Sequence, residues 1–372
     1  MLRTPLYQWH HAARAKLVDF AGWEMPLSYS GVLDEHRAVR TAAGLFDISH
    51  MGRLAVEGAE AERFLQEIVT RNLAGMTDGA ARYALVCDDT GGVLDDVVVY
   101  RRSAGQFLVV VNASNREKIL HWLQRQAAAL TRPDGVQLWD MSEAVSMIAF
   151  QGPRAIPLLE PVTSLAAGSL SSMKRWRVAP ATVAGITLQL ATTGYTGEPG
   201  VELFVESTQA PALWDALLTA GKAEGVKAIG LGARDTLRLE MGYSLYGHEI
   251  DGSITPLEAA LEWAVDLDGK SFIGREAMIA QRQSGLSRRL AGFVLPDRAI
   301  PRQGHRLLHD GAPIGVVTSG NLSPMLERGI GLGFVPPALA VTGQAIGVEI
   351  RDKIHPAVIT PLPFYQGSGG HA

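Results

Sequence analysis

The sequence predicts an α+β protein of two or three domains that ends in a small β-barrel. Three observations lead there. At roughly 150 residues per domain, a chain of 372 residues holds two or three, each large enough to bury a core without metal or disulfide staples. Between Arg53 and Asp140, strand and helix signals follow one another in a β-α-β-β-α order, an α+β sandwich of ferredoxin-like type. Beyond Leu290 no long helical period survives, and short strands separated by turn signals imply a barrel or sandwich.

Each element follows from local chemistry. Asp34 can cap a helix over 35–43 that Gly44 ends, and the strand-like run 45–52 leads into a turn. Residues 54–56 read as a strand, and 59–73 as a helix with Phe64, Leu65, Ile68 and Val69 on one face. A strand at 83–87 and a turn at 88–92 precede a hairpin of 93–101 with 107–111. Ser114 and Glu117 have capping-box spacing for the helix that carries Ile119, Leu120 and Leu123. Strands follow at 145–150 and 201–205, with helices at 211–218 and at 231–241 before Gly242. Thr255, Pro256 and Glu258 mark one more helix start. Barrel strands are predicted at 290–295, 314–318, 330–335, 346–350 and 357–359, and a Gly-Ser-Gly-Gly tail as disordered.

Composition narrows the function. A net charge of −4 argues against a general nucleic-acid binder, which carries a strong basic excess. The single cysteine, Cys87, can form neither an internal disulfide nor a thiolate cluster, and fits a reducing compartment. No apolar run reaches the ~20 residues that span a bilayer, and the first residues lack a signal-peptide core, so a soluble cytosolic protein is expected. Phosphate-loop, dinucleotide-loop, H-E-x-x-H and G-x-S-x-G motifs are absent, and adjacent His10 and His11 are not spaced for a metal.

Three polar segments remain as candidates for chemistry. Asp95 and Asp96 are neighbours on a strand whose Val97-Val98-Val99 run implies burial on both faces. Adjacent strand residues point to opposite faces, so one carboxylate enters a desolvated space and needs a partner or a task; alternatively, both serve the glycine turn. The segment 194–202 offers Glu198 in a Gly/Pro loop, most simply solvated, and Glu202 on the same strand face as Phe204, hence inward. Either can grip a flat donor edge, or both are ordinary loop and edge carboxylates. Arg234 and Arg238, four apart on a helix, can clamp an anion, or Arg238 pairs with Asp235.

In chain order, the chain carries Thr4-Pro5-Leu6-Tyr7, Phe20-Ala21-Gly22-Trp23-Glu24-Met25-Pro26, Glu35-His36 and the run from Gly44 to Gly52. Gly91-Gly92-Val93-Leu94-Asp95-Asp96, the segments 194–202 and 234–240, Thr318-Ser319-Gly320-Asn321-Leu322-Ser323-Pro324 and Pro363-Phe364-Tyr365 follow. This ordered set resembles the glycine cleavage T-protein family of tetrahydrofolate-dependent aminomethyltransferases. The resemblance implies a three-domain cloverleaf around a central folate channel. Its core would be 1–52 plus 141–280, with a ferredoxin-like domain inserted at 53–140 and a C-terminal β-barrel at 285–366.

It also implies a reaction: the aminomethyl group on the lipoyl arm of an H protein passes to tetrahydrofolate, releasing ammonia and 5,10-methylenetetrahydrofolate. Tetrahydrofolate would be the co-substrate, the lipoylated H protein the partner, with no metal, nucleic acid or membrane. By position, the essential acid is Asp96 and the pterin-binding glutamate Glu202, with Glu198 as fallback. Arg234, Tyr195 and Tyr365 fall on folate contacts, and Tyr83 and Asn112 are placed beside Asp96 as its supports, as pterin contacts or as plain packing. A bacterial cytoplasm is expected, or a mitochondrial matrix for a processed organellar form. The alternatives within the fold are folate-dependent demethylases and non-catalytic folate-binding proteins. The latter carry a K-G-C-[YF]-x-G-Q-E signature, for which Cys87 stands in the wrong context, and the flavin-bearing oxidases need an extra domain. Two positions depart from the family pattern: Arg14, usually Gly, and Met325, often Thr or Ser.

Overall fold

The structure is a computed structural model that describes residues 1–130 and 135–367; the tail read as disordered from 368 onward lies outside them. A central six-stranded sheet runs in the order Val178–Val183, Ile186–Ala191, Gly200–Glu206, Val145–Gln151, Gly44–Asp47, Lys227–Ile229. Every neighbour is antiparallel except the short Lys227–Ile229, which pairs parallel to Gly44–Asp47. After Asp47 the chain turns through 48–51 and builds a second, antiparallel sheet in the order Ala81–Cys87, Val93–Ser103, Gln106–Val111, Gly52–Glu57, Gln137–Asp140. It has one strand more than a four-stranded ferredoxin-like sheet. A closed barrel of six strands occupies the C-terminal part, in the order Arg289–Val294, Gly329–Val335, Ala312–Leu322, Arg306–His309, Ala345–Ile350, Lys353–Thr360.

Alternating side chains bring the two sheets together. On Gly200–Glu206, Val201, Leu203 and Val205 pack under Trp214 and the helix Ala210–Gly221, while Phe204 faces the second sheet. On Val93–Ser103, Val97 and Val99 pack under the helices Ala61–Ile68 and Arg116–Ala128, while Val98 and Tyr100 face back toward Phe204. The shared layer, with Phe46, Ile48, Leu108, Met147 and Leu237, is one continuous core. No helix among the described residues is long and apolar enough to cross a membrane.

Local expectations fail where a polar side chain takes another partner. The helix predicted over 35–43 starts earlier, as Val32–Thr41, with no side-chain cap. Asp34 pairs with Lys227 at 2.5 Å, and the fully buried Glu35 accepts backbone N–H groups of Tyr29, Ser30, Gly31 and Gly230 at 2.6–3.0 Å. The helix predicted over 59–73 stops at Ile68, because Val69 turns extended and bridges Val86. The Ser114–Glu117 box does not form: Ala113–Asn115 is a 3₁₀ turn and Asn115 gives its amide to Asp95. Thr255 and Glu258 do exchange capping-box bonds, at 3.0 and 3.3 Å, but Ala260 adopts φ +58° and the turn goes no further than a 3₁₀ segment, Glu262–Ala264. The barrel strand Arg306–His309, the hairpin Val178–Val183 with Ile186–Ala191, and the helix Arg275–Ser284 carried no prediction. Arg14 sits at φ +56°, a left-handed conformation that glycine adopts without strain.

One buried charge network ties these parts together. Arg40 meets Glu198 and Glu240, each at 2.8 Å, and His36 Nε2 lies 3.1 Å from Glu240, with all four side chains fully buried. From the barrel, Ser323 donates to Glu240 at 2.6 Å. Removing the cation leaves carboxylates in a desolvated space, so Arg40→Met is expected to cost about 3–5 kcal/mol, read from urea unfolding midpoints. A loss below about 1 kcal/mol, the size of an exposed pair, would contradict that role.

Candidate active site

Between the two sheets lies a cavity of about 280 Å³. Its walls include Asp96, Glu202, Arg234, Tyr83, Asn112 and Tyr195. Six of the eight residues singled out from the sequence therefore converge on it. The other two do not line it. Glu198, expected in solvent, is 4% exposed and ion-paired with Arg40, and the Arg40 guanidinium lies 4.5 Å over the ring of Tyr365. Both belong to the network just described.

Strand alternation explains how the acids arrive. Asp95 shares the inner face with Val97 and Val99 and is completely buried, whereas Asp96 shares the cavity face with Val98 and Tyr100. The Asn112 amide donates to Asp96 Oδ1 at 2.6 Å and to Asp95 Oδ1 at 2.8 Å. The Tyr83 hydroxyl donates to Asp96 Oδ2 at 3.2 Å, and its ring stacks on Trp263 at 5.3 Å. Burial raises both carboxyls above their ordinary range, and the Asp96 charge raises Asp95 further, to about 8.

On the opposite wall, Glu202 projects from Gly200–Glu206 on the Phe204 face. Its Oε2 accepts from Thr193 Oγ1 at 2.5 Å and from the Tyr100 hydroxyl at 3.2 Å. Oε1 has no donor among the described residues, which leaves a carboxylate oxygen open on the cavity wall. Arg234 rises from the first turns of the helix Leu231–Glu240 and lies 4.6 Å over the Tyr195 ring. Its guanidinium makes no hydrogen bond among the described residues. Tyr195 is fixed by its hydroxyl on the Ser244 carbonyl and by stacking on Tyr243 at 5.6 Å. Arg238 is no anion clamp: it is 1% exposed, donates to Glu249 at 3.1 Å and pairs with Asp235 at 2.8 Å.

Several lining residues were given no role from the sequence, although Phe20, His50 and Met51 lie in segments that carry the family resemblance. Phe20 comes from the Lys16–Phe20 hairpin, and His50 and Met51 from the turn after Asp47. Trp176 and Tyr246 complete an aromatic wall. His50 is 1% exposed, packs edge-on to Phe20 at 5.5 Å, and leaves Nδ1 without a partner. It stands three residues after Asp47, which ends a strand and anchors the turn by accepting the Ser49 N–H at 2.9 Å. Asp47 also accepts from Thr4 at 2.6 Å and pairs with His10 at 2.9 Å.

A cavity between two sheets, with carboxylates, an arginine and aromatic rings on its walls, has the shape and chemistry for a flat, hydrogen-bonding small molecule. Residues 6–269 match the GCVT N-terminal domain and residues 288–366 the glycine cleavage T-protein C-terminal barrel domain. Aminomethyltransferases of Chlorobium luteolum and Rubrobacter xylanophilus are each 49% identical, over 99% and 98% of this chain and 100% and 94% of their own. The crystal structure of the glycine cleavage system aminomethyltransferase T from Bartonella henselae superposes with a TM-score of 0.90 at 35% identity, covering 98% of both chains. The chain belongs to the glycine cleavage T-protein family.

His50 supplies a prediction. Burial first, and the Arg234 charge next, lower its pKa to about 3. The unfolded imidazole titrates near 6.5, so the unfolded chain binds the extra proton as pH falls from about 6.5 toward 3. The stability tied to the neutral ring is complete above that range and is lost progressively within it, down to about pH 3. An imidazole NMR titration should find His50 neutral from pH 8 down to 5; a midpoint near 6.5 would contradict its burial.

Proposed function

We propose that this protein transfers the aminomethyl group of a lipoylated H protein to tetrahydrofolate, forming 5,10-methylenetetrahydrofolate, ammonia and the reduced lipoyl arm. The observation that carries the reading is the convergence of Asp96, Glu202 and Arg234 on one cavity. Full-length similarity to proteins named aminomethyltransferase supports it. Under this reading the core is 1–52 plus 141–280, the inserted domain 53–140 and the barrel 285–366, and the bacterial relatives support a cytoplasmic setting.

The residues present fit a pterin. A pterin edge carries an amino group beside a ring N–H, and Glu202 has one oxygen held by Thr193 and Tyr100 and the other open. Phe20, Trp176 and Tyr100 offer apolar faces for a flat ring system. Arg234, with its donors unused and its plane on Tyr195, suits an acceptor-rich or anionic part of the same molecule. Asp96, steadied by Asn112 and Tyr83, holds the attacking folate amine and stabilises the positive charge that grows on the carbon as ammonia departs. The cavity's low dielectric strengthens that interaction.

The direct experiment mixes the protein with aminomethylated H protein and tetrahydrofolate and measures ammonia. Release that requires folate supports the transferase. Folate binding without release would make the protein a carrier. Asp96→Asn should lower turnover by on the order of 10²-fold or more while folate affinity stays within about threefold; near-normal turnover removes Asp96 from the chemistry. Glu202→Gln should weaken folate binding by about 10-fold or more, since a hydrogen bond to a charged group contributes roughly 1.5–3 kcal/mol. Unchanged affinity would remove Glu202 from pterin recognition.

A further inference from the structure

Asp95 is the one member of the acidic pair that the reaction above does not use. It is completely buried beneath the cavity wall. Its surroundings are all donors: the Asn112 backbone N–H reaches Oδ2 at 3.0 Å, and the side-chain amides of Asn112 and Asn115 reach Oδ1 at 2.8 and 2.6 Å. All of these groups donate, which favours the ionised carboxylate, while burial and the Asp96 charge oppose it and raise the Asp95 pKa to about 8. The same Asn112 amide nitrogen reaches Asp96 Oδ1 at 2.6 Å. An amide carries two hydrogens, and a nitrogen set between two carboxylates gives one to each. Turned the other way, its carbonyl oxygen would face two anions.

We propose that Asp95 is a positioning residue, a buried anion that locks the Asn112 amide with its nitrogen toward Asp96 and so fixes the cavity-facing carboxylate for the transfer step. Asp95 touches no substrate. It acts through Asn112, and the 3₁₀ turn Ala113–Asn115 brings the second amide into reach. A second effect follows from charge. Asp95 stands one residue behind Asp96 in a desolvated space, so a negative charge on either carboxylate opposes ionisation of the other. The other titratable groups in range are Lys118 on the helix Arg116–Ala128, Tyr83 on the neighbouring strand, Tyr195 and Tyr246 on facing loops, and Asp251 beyond Tyr246. Lys118 donates to the Tyr246 hydroxyl at 2.8 Å, so its amine is engaged outside the Asp95–Asn112 contact.

The inference rests on the proposed transfer, and the test separates the two. Asp95→Asn removes the charge and, with its carbonyl kept toward the two side-chain amides, sets an amide N–H against the Asn112 backbone N–H that Oδ2 accepts, so the Asn112 segment has to shift. Its kcat should fall by on the order of 10²-fold with KM for tetrahydrofolate within about twofold, because the geometry is lost while the binding wall remains. The acidic limb of its pH–rate profile should move to lower pH by about one unit, because the like charge behind Asp96 is gone. Asn115→Ala guards against a variant that does not fold. It touches Asp96 only through Asp95 and Asn112, and should lower kcat by about 3- to 10-fold, less than Asp95→Asn because one donor of three is lost. A folded Asp95→Asn protein with unchanged kcat and an unmoved limb overturns the proposal. So does a fall in kcat that tracks a loss of melting temperature with the limb unmoved, which is the signature of a structural role. If the wild type releases no ammonia with folate, or Asp96→Asn is fully active, the transfer reading itself has failed, and the Asp95 proposal with it.

Discussion

Two carboxylates on consecutive residues of a buried strand have to point to opposite faces, and neither face here is open water. One enters the core beneath two helices and the other enters the cavity. Desolvation of an ionised carboxylate is expensive unless donors surround it, so the segment that follows the neighbouring strand has to supply them. Asn112 and Asn115 do so, with a backbone N–H and two side-chain amides on Asp95. That requirement accounts for the 3₁₀ turn ahead of Arg116–Ala128 and for the missing capping box. It also accounts for the orientation of Asp96, which receives the second hydrogen of the shared amide. The site's geometry is thus a consequence of satisfying a buried charge one residue away.

The same rule sorts the cations. Of the buried arginines, Arg40 neutralises Glu198 and Glu240, and Arg238 neutralises Glu249 and Asp235. Arg53 spends its guanidinium on the carbonyls of Ser49, Met51 and Ser142, around the turn where the chain crosses between the sheets. Arg234 differs: its donors point into the cavity and its plane rests on an aromatic ring. Arg234 and Arg238 are one helical turn apart, yet one is structural and the other is available, because Glu249 from the following loop reaches only the second. Helical spacing places both on one side of the helix; tertiary partners decide their use.

Sequence alone carried the sheet and barrel layout well, since alternation and turn residues are local signals. Glu202 was legible because it shares a strand face with Phe204, and that face proved to be the cavity side. Asp96 was legible as one of a pair, but which member turned outward depended on which face the helices cover. Glu198 was misread as solvated, because its partner Arg40 lies on a helix distant in the chain and nothing near Glu198 announces it. His50 and Phe20, though inside quoted motifs, and Trp176 were assigned no site role for the same reason. Each reaches the cavity by a turn or hairpin whose placement is set by packing between sheets. The helix expected at Thr255 failed on one backbone angle at Ala260, which periodicity cannot foresee.

An open oxygen on Glu202 and unused donors on Arg234 make little sense as stabilising features. A protein selected only for stability would fill such a cavity, or pair the two groups with each other, as it pairs Arg40 with Glu240. Instead Glu202 is held by one oxygen, through Thr193 and Tyr100, so that the other stays open without the side chain moving. Arg234 is held by stacking, which fixes its plane and leaves its N–H groups unspent. Both arrangements restrain a charged group while withholding its hydrogen bonds. That is what a preorganised binding wall requires: the ordering cost is met when the chain folds, and the remaining bonds are reserved for a ligand. The Asp96 wall follows the same logic, with Asn112 and Tyr83 fixing a carboxylate that still borders the cavity. Three separately anchored groups around one space leave a rigid site whose unmet hydrogen-bonding capacity only a complementary molecule can satisfy.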